Sequence, residues 1–329
     1  MKCTKILAQT HKIMPDSNSK PSQSPSPILI LAGLLTIYLI WGSTYLAIRI
    51  AVDTIPPFLM ASTRFLVAGL VLAGAVGWLR GFQLTKKQWR DSFIVSGFMI
   101  LGGNGLVSWA ETSVPSGIAT LVIAVNPLFF VFAEWGVAWW RGAPASEGRP
   151  KLLTFVGLAL GTIGLVVLVG PAFFDTDQTQ LQPLPVFALV LACLCWTIGS
   201  LYNRFLPDAT EPFAGSAAQM LCGSVWLLAV SLLIGETRAF SIAKVSGVSI
   251  YAWLYLVIAG SLIAYTTFVW LMNHASPSVI STYAYVNPIV AVFLGWLILN
   301  ESVSPRLFLA SAIIIAGVAL ITISKQRKV

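Results

Sequence analysis

Asn104, Ser108 and Glu111 are four and then three residues apart, so on a helix they share one face. An amide, a hydroxyl and a carboxyl on one face can bind a polar ligand or carry a proton. Two readings of Glu111 stand: a carrier of a coupling proton or holder of a substrate amine, and a carboxyl near a helix end that reaches water or a neighbouring Arg. Trp41, Tyr45 and Arg49 follow a four-residue spacing, and Trp196, Ser200 and Arg204 repeat it 155 positions later. An aromatic and hydroxyl face suits a cavity for an amphipathic metabolite and attracts ammonium groups. Interhelical or interfacial packing uses the same residues. Arg64 lies inside an apolar run, with Gln219 at the matching place; it can clamp a carboxylate, snorkel outward, or pair with Glu111 or Asp53. Asn126-Pro127 and Asn287-Pro288 are matched helix interruptions, either kinks that shape a bundle or backbone and amide groups freed for a substrate. Thr282, Tyr283 and Tyr285 stand beside the second of these, and Tyr265 and Trp270 lie on the preceding apolar run.

Other polar residues read more plainly. Cys193, Cys195 and Cys222 sit in apolar runs as small hydrophobes, Cys3 sits in a polar tail, and no disulfide framework is indicated. With only His11 and His274 present, no Cys/His metal cluster forms. Arg49 and Arg204 fall at helix C-terminal ends, where they complement the macrodipole, and Asp53 is placed to pair with Arg49. Glu134, matched by Gly295, reads as a residue that snorkels from a cytoplasmic helix end. Gly157, Gly161 and Gly164, and the run "IIIAGVAL", read as close helix packing. There is no H-E-x-x-H, P-loop or paired-Asp prenyl-transfer motif, so an intramembrane enzyme is disfavoured and ATP is not used directly on this chain.

The elements that hold these residues follow from composition. The 329 residues are 57% hydrophobic and 10% charged, with mean hydropathy +0.83. Soluble domains carry about 25% charged residues. A bilayer is the solvent this chain suits, and apolar runs of ~20 residues without strict alternation imply membrane helices. Ten spans are expected: 28–50, 58–79, 92–113, 117–140, 152–170, 186–206, 213–234, 250–273, 279–299 and 307–324. Residues 1–26 form a polar Ser/Pro/Lys-rich tail expected to be disordered and cytoplasmic, and the first span is read as a retained helix rather than a signal peptide. With the N-terminus inside, 15 Lys/Arg fall on cytoplasmic segments and 3 on the opposite side, which places both termini in the cytoplasm. That bias accounts for the +8 net charge without a nucleic-acid partner.

The chain also repeats itself. "WGSTYLAIRIAVDTIPPF" from Trp41 and "WTIGSLYNRFLPDATEPF" from Trp196 share Trp, Leu, Arg, Asp and Pro-Phe without a gap. "VNPLFFVF" from Val125 matches "VNPIVAVF" from Val286, and "PSGIAT" at Pro115 has a looser counterpart in "PSVIST" at Pro277. The halves are 27–171 and 186–325, joined by 172–185, and each has five expected spans. An odd number turns the second copy upside down. The fold class is therefore an all-α membrane protein of ten helices in two inverted five-helix repeats, an arrangement characteristic of secondary transporters.

"WGSTYLAIR", "RFLVAGLVL", "AETSVPSGIATLVIAVNPLFFVF" and "STYAYVNPIVAVFLGWLILNESVSP" resemble the EamA family of the drug/metabolite transporter superfamily, over nearly the whole chain after Pro27. The resemblance implies an inner-membrane permease with a cavity lined mainly by spans one, three, four, six, eight and nine, most often an exporter of amino acids or related metabolites. Glu301 fits the family pattern, whereas "WWRGAPAS" in the first half has no acid at the matching place. The small four-helix multidrug relatives couple protons through a first-helix Glu, and neither the first nor the sixth span has one. The expected partners are a small-molecule substrate, the bilayer and protons as candidate coupling ion, with no cofactor, in a monomer or homodimer. A lipid or drug flippase of the same fold and a non-transporting scaffold are the alternatives.

Overall fold

The computed structural model describes residues 26–114, 116–142, 149–174, 183–206, 210–299 and 305–326. The tail before residue 26, Cys3, His11, Asp208 and Glu301 lie outside them. No strand occurs among the described residues. The helices are α1 (Pro27–Ala51), α2 (Pro57–Arg80), α3 (Lys86–Ala110), α4 (Ser116–Ile123), α5 (Asn126–Trp140), α6 (Leu152–Phe174), α7 (Pro183–Arg204), α8 (Pro212–Leu233), α9 (Gly247–His274), α10 (Pro277–Ile280), α11 (Tyr283–Leu299) and α12 (Pro305–Gln326). Short turns at Glu236–Ala239 and Ile242–Lys244 link α8 to α9. Among the described residues six helices (α1, α2, α3, α7, α8 and α9) are long and apolar enough to cross a membrane. Leu39, Leu70, Ile163 and Val225 stand exposed on outer faces, as a hydrocarbon solvent requires.

Several boundaries differ from the sequence reading, each for a local reason. The third span begins earlier, at Lys86, because Thr85 and Gln88 close a capping box that starts the helix in polar sequence. The fourth span is two helices, α4 and α5, separated by a turn at 124–125. Pro127 thus sits in the first turn of a new helix, where its missing N–H costs nothing, rather than kinking a continuous one. The ninth span is likewise α10 and α11, with Pro288 inside α11. The 172–185 connection is shorter than expected, because α6 runs on to Phe174 and α7 begins at Pro183.

Two helix pairs frame the molecule. α2 packs on α8, and the ends show that they run antiparallel. Arg80, at the end of α2, pairs with Glu211 before α8 at 3.6 Å. At the other end Glu236, just past α8, accepts the backbone N–H groups of Phe58 (3.2 Å) and Leu59 (2.9 Å). The N-terminus of α2 has no side-chain cap of its own, so Glu236 satisfies donors that Pro56 cannot. α6 packs on α12, also antiparallel: Thr154 meets Ser324 at 2.8 Å, and Gly157, Gly161 and Gly317 bring the two backbones together. A Cβ on Gly317 would lie 2.7 Å from the Gly157 carbonyl, so only glycine allows this approach. α1, α3, α4, α5, α7, α9, α10 and α11 fill the space between the pairs.

Both α3 and α9 widen into π-helical turns, at Gly97–Gly105 and Leu256–Tyr265. In α3 the glycines receive α7: a Cβ on Gly102 would meet Cys195 at 2.7 Å, and one on Gly103 would meet Trp196 at 2.8 Å. Turns of this kind recur at functional sites. Asn104 and Tyr265 stand near the C-terminal ends of the two segments.

Candidate functional site

A cavity of ≈ 70 Å³ lies among α1, α2, α3, α4, α5, α7 and α11. α1 supplies Trp41 and Tyr45, α2 supplies Arg64, α3 supplies Asn104, α5 supplies Asn126, α7 supplies Trp196 and α11 supplies Tyr283. Seven of the sequence candidates thus converge from four long apolar helices and two half-spans. Thr44, Ile48, Ile123 and Cys193 also line it. Thr44 and Ile48 flank Tyr45 on α1 and carry no signal that separates them from ordinary packing residues.

Four aromatic rings seal one side. Trp41 meets Trp196 edge-on with centroids 5.4 Å apart, so the two matched tryptophans of the halves touch each other. Tyr283 lies 4.8 Å from Trp41, and Phe268 lies 5.1 Å from Trp41 and 5.0 Å from Trp196. Such pairs are worth about 0.5–1.5 kcal/mol beyond the area they bury. Phe268 escaped the sequence reading because a Phe in a membrane span is unremarkable. Only its position one turn beyond Tyr265 marks it.

Among the described residues Arg64 is the one charged side chain on the cavity wall, and it is 3% exposed. Its Nε donates to the Ser261 hydroxyl at 2.8 Å, its guanidinium lies 4.5 Å from the Phe65 ring centroid, and its Nη1 has no partner. It pairs with neither Glu111 nor Asp53, and burial removes snorkelling. Arg49 does not hold Asp53 either. It reaches across to the carbonyls of Glu111 (2.8 Å) and Thr112 (3.0 Å), at the C-terminal end of α3. Arg204 does the same for α9, through the carbonyls of Met272 and Ala275. The two matched arginines therefore cap matched helix ends, which is a structural role.

Glu111 is fully buried, and neither carboxyl oxygen has a hydrogen-bond partner. The Ser108 hydroxyl, one turn earlier on the same face, is also buried and unpaired. Both lie behind the cavity wall rather than on it. Glu134 is half-buried and accepts from the Ser278 hydroxyl on α10.

The two Asn-Pro sites are unequal. The Asn126 amide donates to the Tyr283 hydroxyl at 2.8 Å and accepts from Thr197 at 3.0 Å. Asn287 is as deeply buried, at 1%, yet no hydrogen bond closes on its Nδ2 or Oδ1, although Tyr45 lies beside it. The repeat supplies the reason. The match of Trp41 to Trp196 puts Gly42 opposite Thr197, and the match of Asn126 to Asn287 puts Val122 opposite Tyr283. Neither counterpart has a side-chain polar atom to offer Asn287.

The remaining candidates are dispersed. Ser200 is buried with an unpaired hydroxyl, and Pro127 and Pro288 are buried in their helices without lining the cavity. The Tyr265 hydroxyl donates to Gln219 at 2.9 Å, behind Trp196. Thr282 bonds Tyr38 at 2.5 Å, and Trp270 stacks on His274 with centroids 4.4 Å apart. Tyr285 departs from the cavity expectation. It points into the seam between α6 and α12, packed on Gly161, with its hydroxyl toward the Leu158 carbonyl at 3.4 Å. Tyr283 and Tyr285 are two residues apart on a helix, so they diverge by about 200° and cannot share a cavity. The span set also shifts: α2 reaches the wall through Arg64, while α9 stands behind it through Ser261, Tyr265 and Phe268.

The EamA-like transporter family pattern matches residues 28–170 and again 183–323, once in each half of the chain. The chain belongs to the EamA-like transporter family. A relative named "Uncharacterized inner membrane transporter YedA", from Escherichia coli K12, is 34% identical over 300 residues, covering 90% of this chain and 91% of its own. "Uncharacterized transporter YoaV" of Bacillus subtilis is 22% identical across 92% of this chain and 99% of its own. A solved crystal structure shares the fold, with a TM-score of 0.70 at 20% identity, over 93% of this chain and 100% of that one. This EamA-like chain is thus a multi-pass membrane protein whose relatives are named as transporters. Its cavity lies among helices drawn from both matched segments.

Proposed function

We propose that the chain is a secondary transporter that exports amino acids or related small metabolites across the inner membrane, through ten spans in two inverted five-helix halves with both termini cytoplasmic. The observation that carries this reading is the set of buried polar groups left without partners around the cavity: Arg64 Nη1, the Asn287 amide and the Glu111 carboxyl. A buried unsatisfied group costs about 1–3 kcal/mol, more when charged. A bundle built only for stability has no reason to keep several together. A polar substrate or a proton is what such groups accept. The antiparallel runs of α2 against α8 and of α6 against α12 support the inverted repeat, because each pair occupies matching places in the two halves. The Lys/Arg asymmetry supports the orientation.

Glu111 is the group suited to carry a proton, since no hydrogen bond ties up its carboxyl and the Arg49 guanidinium stands near enough to act on its charge. Direct tests use the purified full chain in vesicles, a panel of small metabolites, and runs with and without a pH gradient. Transport of no small metabolite sinks the reading. A Glu111→Gln variant with wild-type rate and unchanged pH dependence removes Glu111 from coupling.

A flippase reading draws on a groove of ≈ 470 Å³ on the flank of α1, α8 and α9, apolar except for threonines such as Thr36, Thr266 and Thr267. The central cavity is far smaller and carries a buried cation, which suits a polar metabolite better than a lipid.

A further inference from the structure

The cavity occupies a place that the second half of the chain fills with its own side chains. There, Gln219 is held at both ends: Tyr265 donates to its Oε1 at 2.9 Å, and its Nε2 donates to Asn203 at 2.8 Å. The repeat puts Arg64 opposite Gln219 and Ile48 opposite Asn203, and Asn104 stands near the end of the α3 π-turn as Tyr265 ends that of α9. Arg64, Ile48 and Asn104 all line the cavity. Asn104 is too short to do what the Tyr265 phenol does, and Ile48 has nothing to donate or accept. Arg64 is therefore left facing a space, with Nη1 unpaired and no acidic side chain among the described residues in contact with it.

A guanidinium taken out of water without a counter-charge is costly, and its planar fork matches a carboxylate. Among the described residues no acid lines the cavity to receive an ammonium, so the wall they form carries one net positive charge. Its volume of ≈ 70 Å³ has room for only a handful of waters, which limits the occupant to a few heavy atoms.

We propose that the cavity binds a small metabolite through its carboxylate, docked on Arg64 beside Asn104 in the space that Tyr265 fills in the other half, and that Arg64 selects against compounds lacking the carboxylate. This rests on the transporter reading and deepens it.

The test is exchange of radiolabelled alanine, lactate and pyruvate, against alaninamide, by the purified full chain in liposomes. The three carboxylates exchange and alaninamide does not. Arg64→Lys keeps the charge but loses the fork, and raises KM about tenfold. Arg64→Gln with Asn104→Tyr writes the second half's residues into the first; it melts like the wild type and exchanges none of the probes. Arg64→Gln alone tests the same point should the double variant fail to fold. A carboxylate KM within about twofold of wild type in Arg64→Gln overturns the proposal. So does exchange of alaninamide as fast as alanine. Either result leaves the transporter reading intact, whereas exchange of no probe of any charge overturns both.

Discussion

Truncating Asn126 and Asn287 separately to Ala isolates the hydrogen bonds that distinguish the two sites. Both side chains are 1% exposed, so each variant removes the same atoms from an equally buried place, and the cost of the space left behind largely cancels in the comparison. Asn126→Ala breaks the bonds to Tyr283 and Thr197, which are themselves only 4% and 2% exposed. Each orphaned hydroxyl costs about 1–3 kcal/mol, and partial relief by turning toward backbone carbonyls leaves a total of roughly 2–4 kcal/mol. Asn287→Ala removes two buried groups that close no hydrogen bond of ordinary geometry and loses only their looser contact with the Tyr45 hydroxyl. Asn126→Ala is therefore the less stable of the pair by roughly 2–4 kcal/mol. Reversible denaturation of the purified protein in mixed micelles measures the difference, and thermal melting checks its sign. Equal destabilisation, or a greater loss for Asn287→Ala, would falsify the pairing scheme.

Three further outcomes follow from the packing. Gly317→Ala drives a Cβ to 2.7 Å from the Gly157 carbonyl and 2.8 Å from the Gly161 nitrogen; neither backbone atom can rotate aside, and a loss of about 1–3 kcal/mol should appear as a lower melting temperature. Glu236→Ala uncovers the Phe58 and Leu59 donors at the start of α2 and costs about 1–2 kcal/mol, whereas Glu236→Gln keeps one acceptor and recovers part of it, as chemical denaturation will read. Arg49→Ala and Arg204→Ala each release two C-terminal carbonyls and lower stability by about 1–3 kcal/mol; a melting temperature equal to wild type in both would mean that water caps α3 and α9 instead.

Much of the site was legible as a set of residue types. Polar atoms in apolar spans are rare enough to count, and Trp41, Tyr45, Arg64, Asn104, Asn126, Trp196 and Tyr283 do converge. What failed was the assignment of partners. Arg49 was expected to reach Asp53 four residues on, because helical spacing makes local pairs visible. Its actual partners are backbone carbonyls about sixty residues away, and carbonyls carry no sequence signal. Tyr285 was grouped with Tyr283 by adjacency in the chain, but their directions on the helix separate them. Phe268 and Thr197 were missed because neither stands out in a span; comparing Thr197 with Gly42 was the available clue.

Composition, hydropathy and the internal match determined the solvent, the division into two halves and the candidate polar faces, because each is written in short-range spacing or in bulk composition. The tertiary structure alone decided which polar groups are satisfied. Asn126 and Asn287 have identical local sequence, Val-Asn-Pro, yet one is bonded twice and the other closes no hydrogen bond of ordinary geometry. The difference lies in residues 71 and 157 positions away from Asn126. Helical periodicity says which face a side chain occupies, but only packing of distant helices says what it meets there. In an apolar bundle, that meeting separates a group held by the fold from one left open for a ligand.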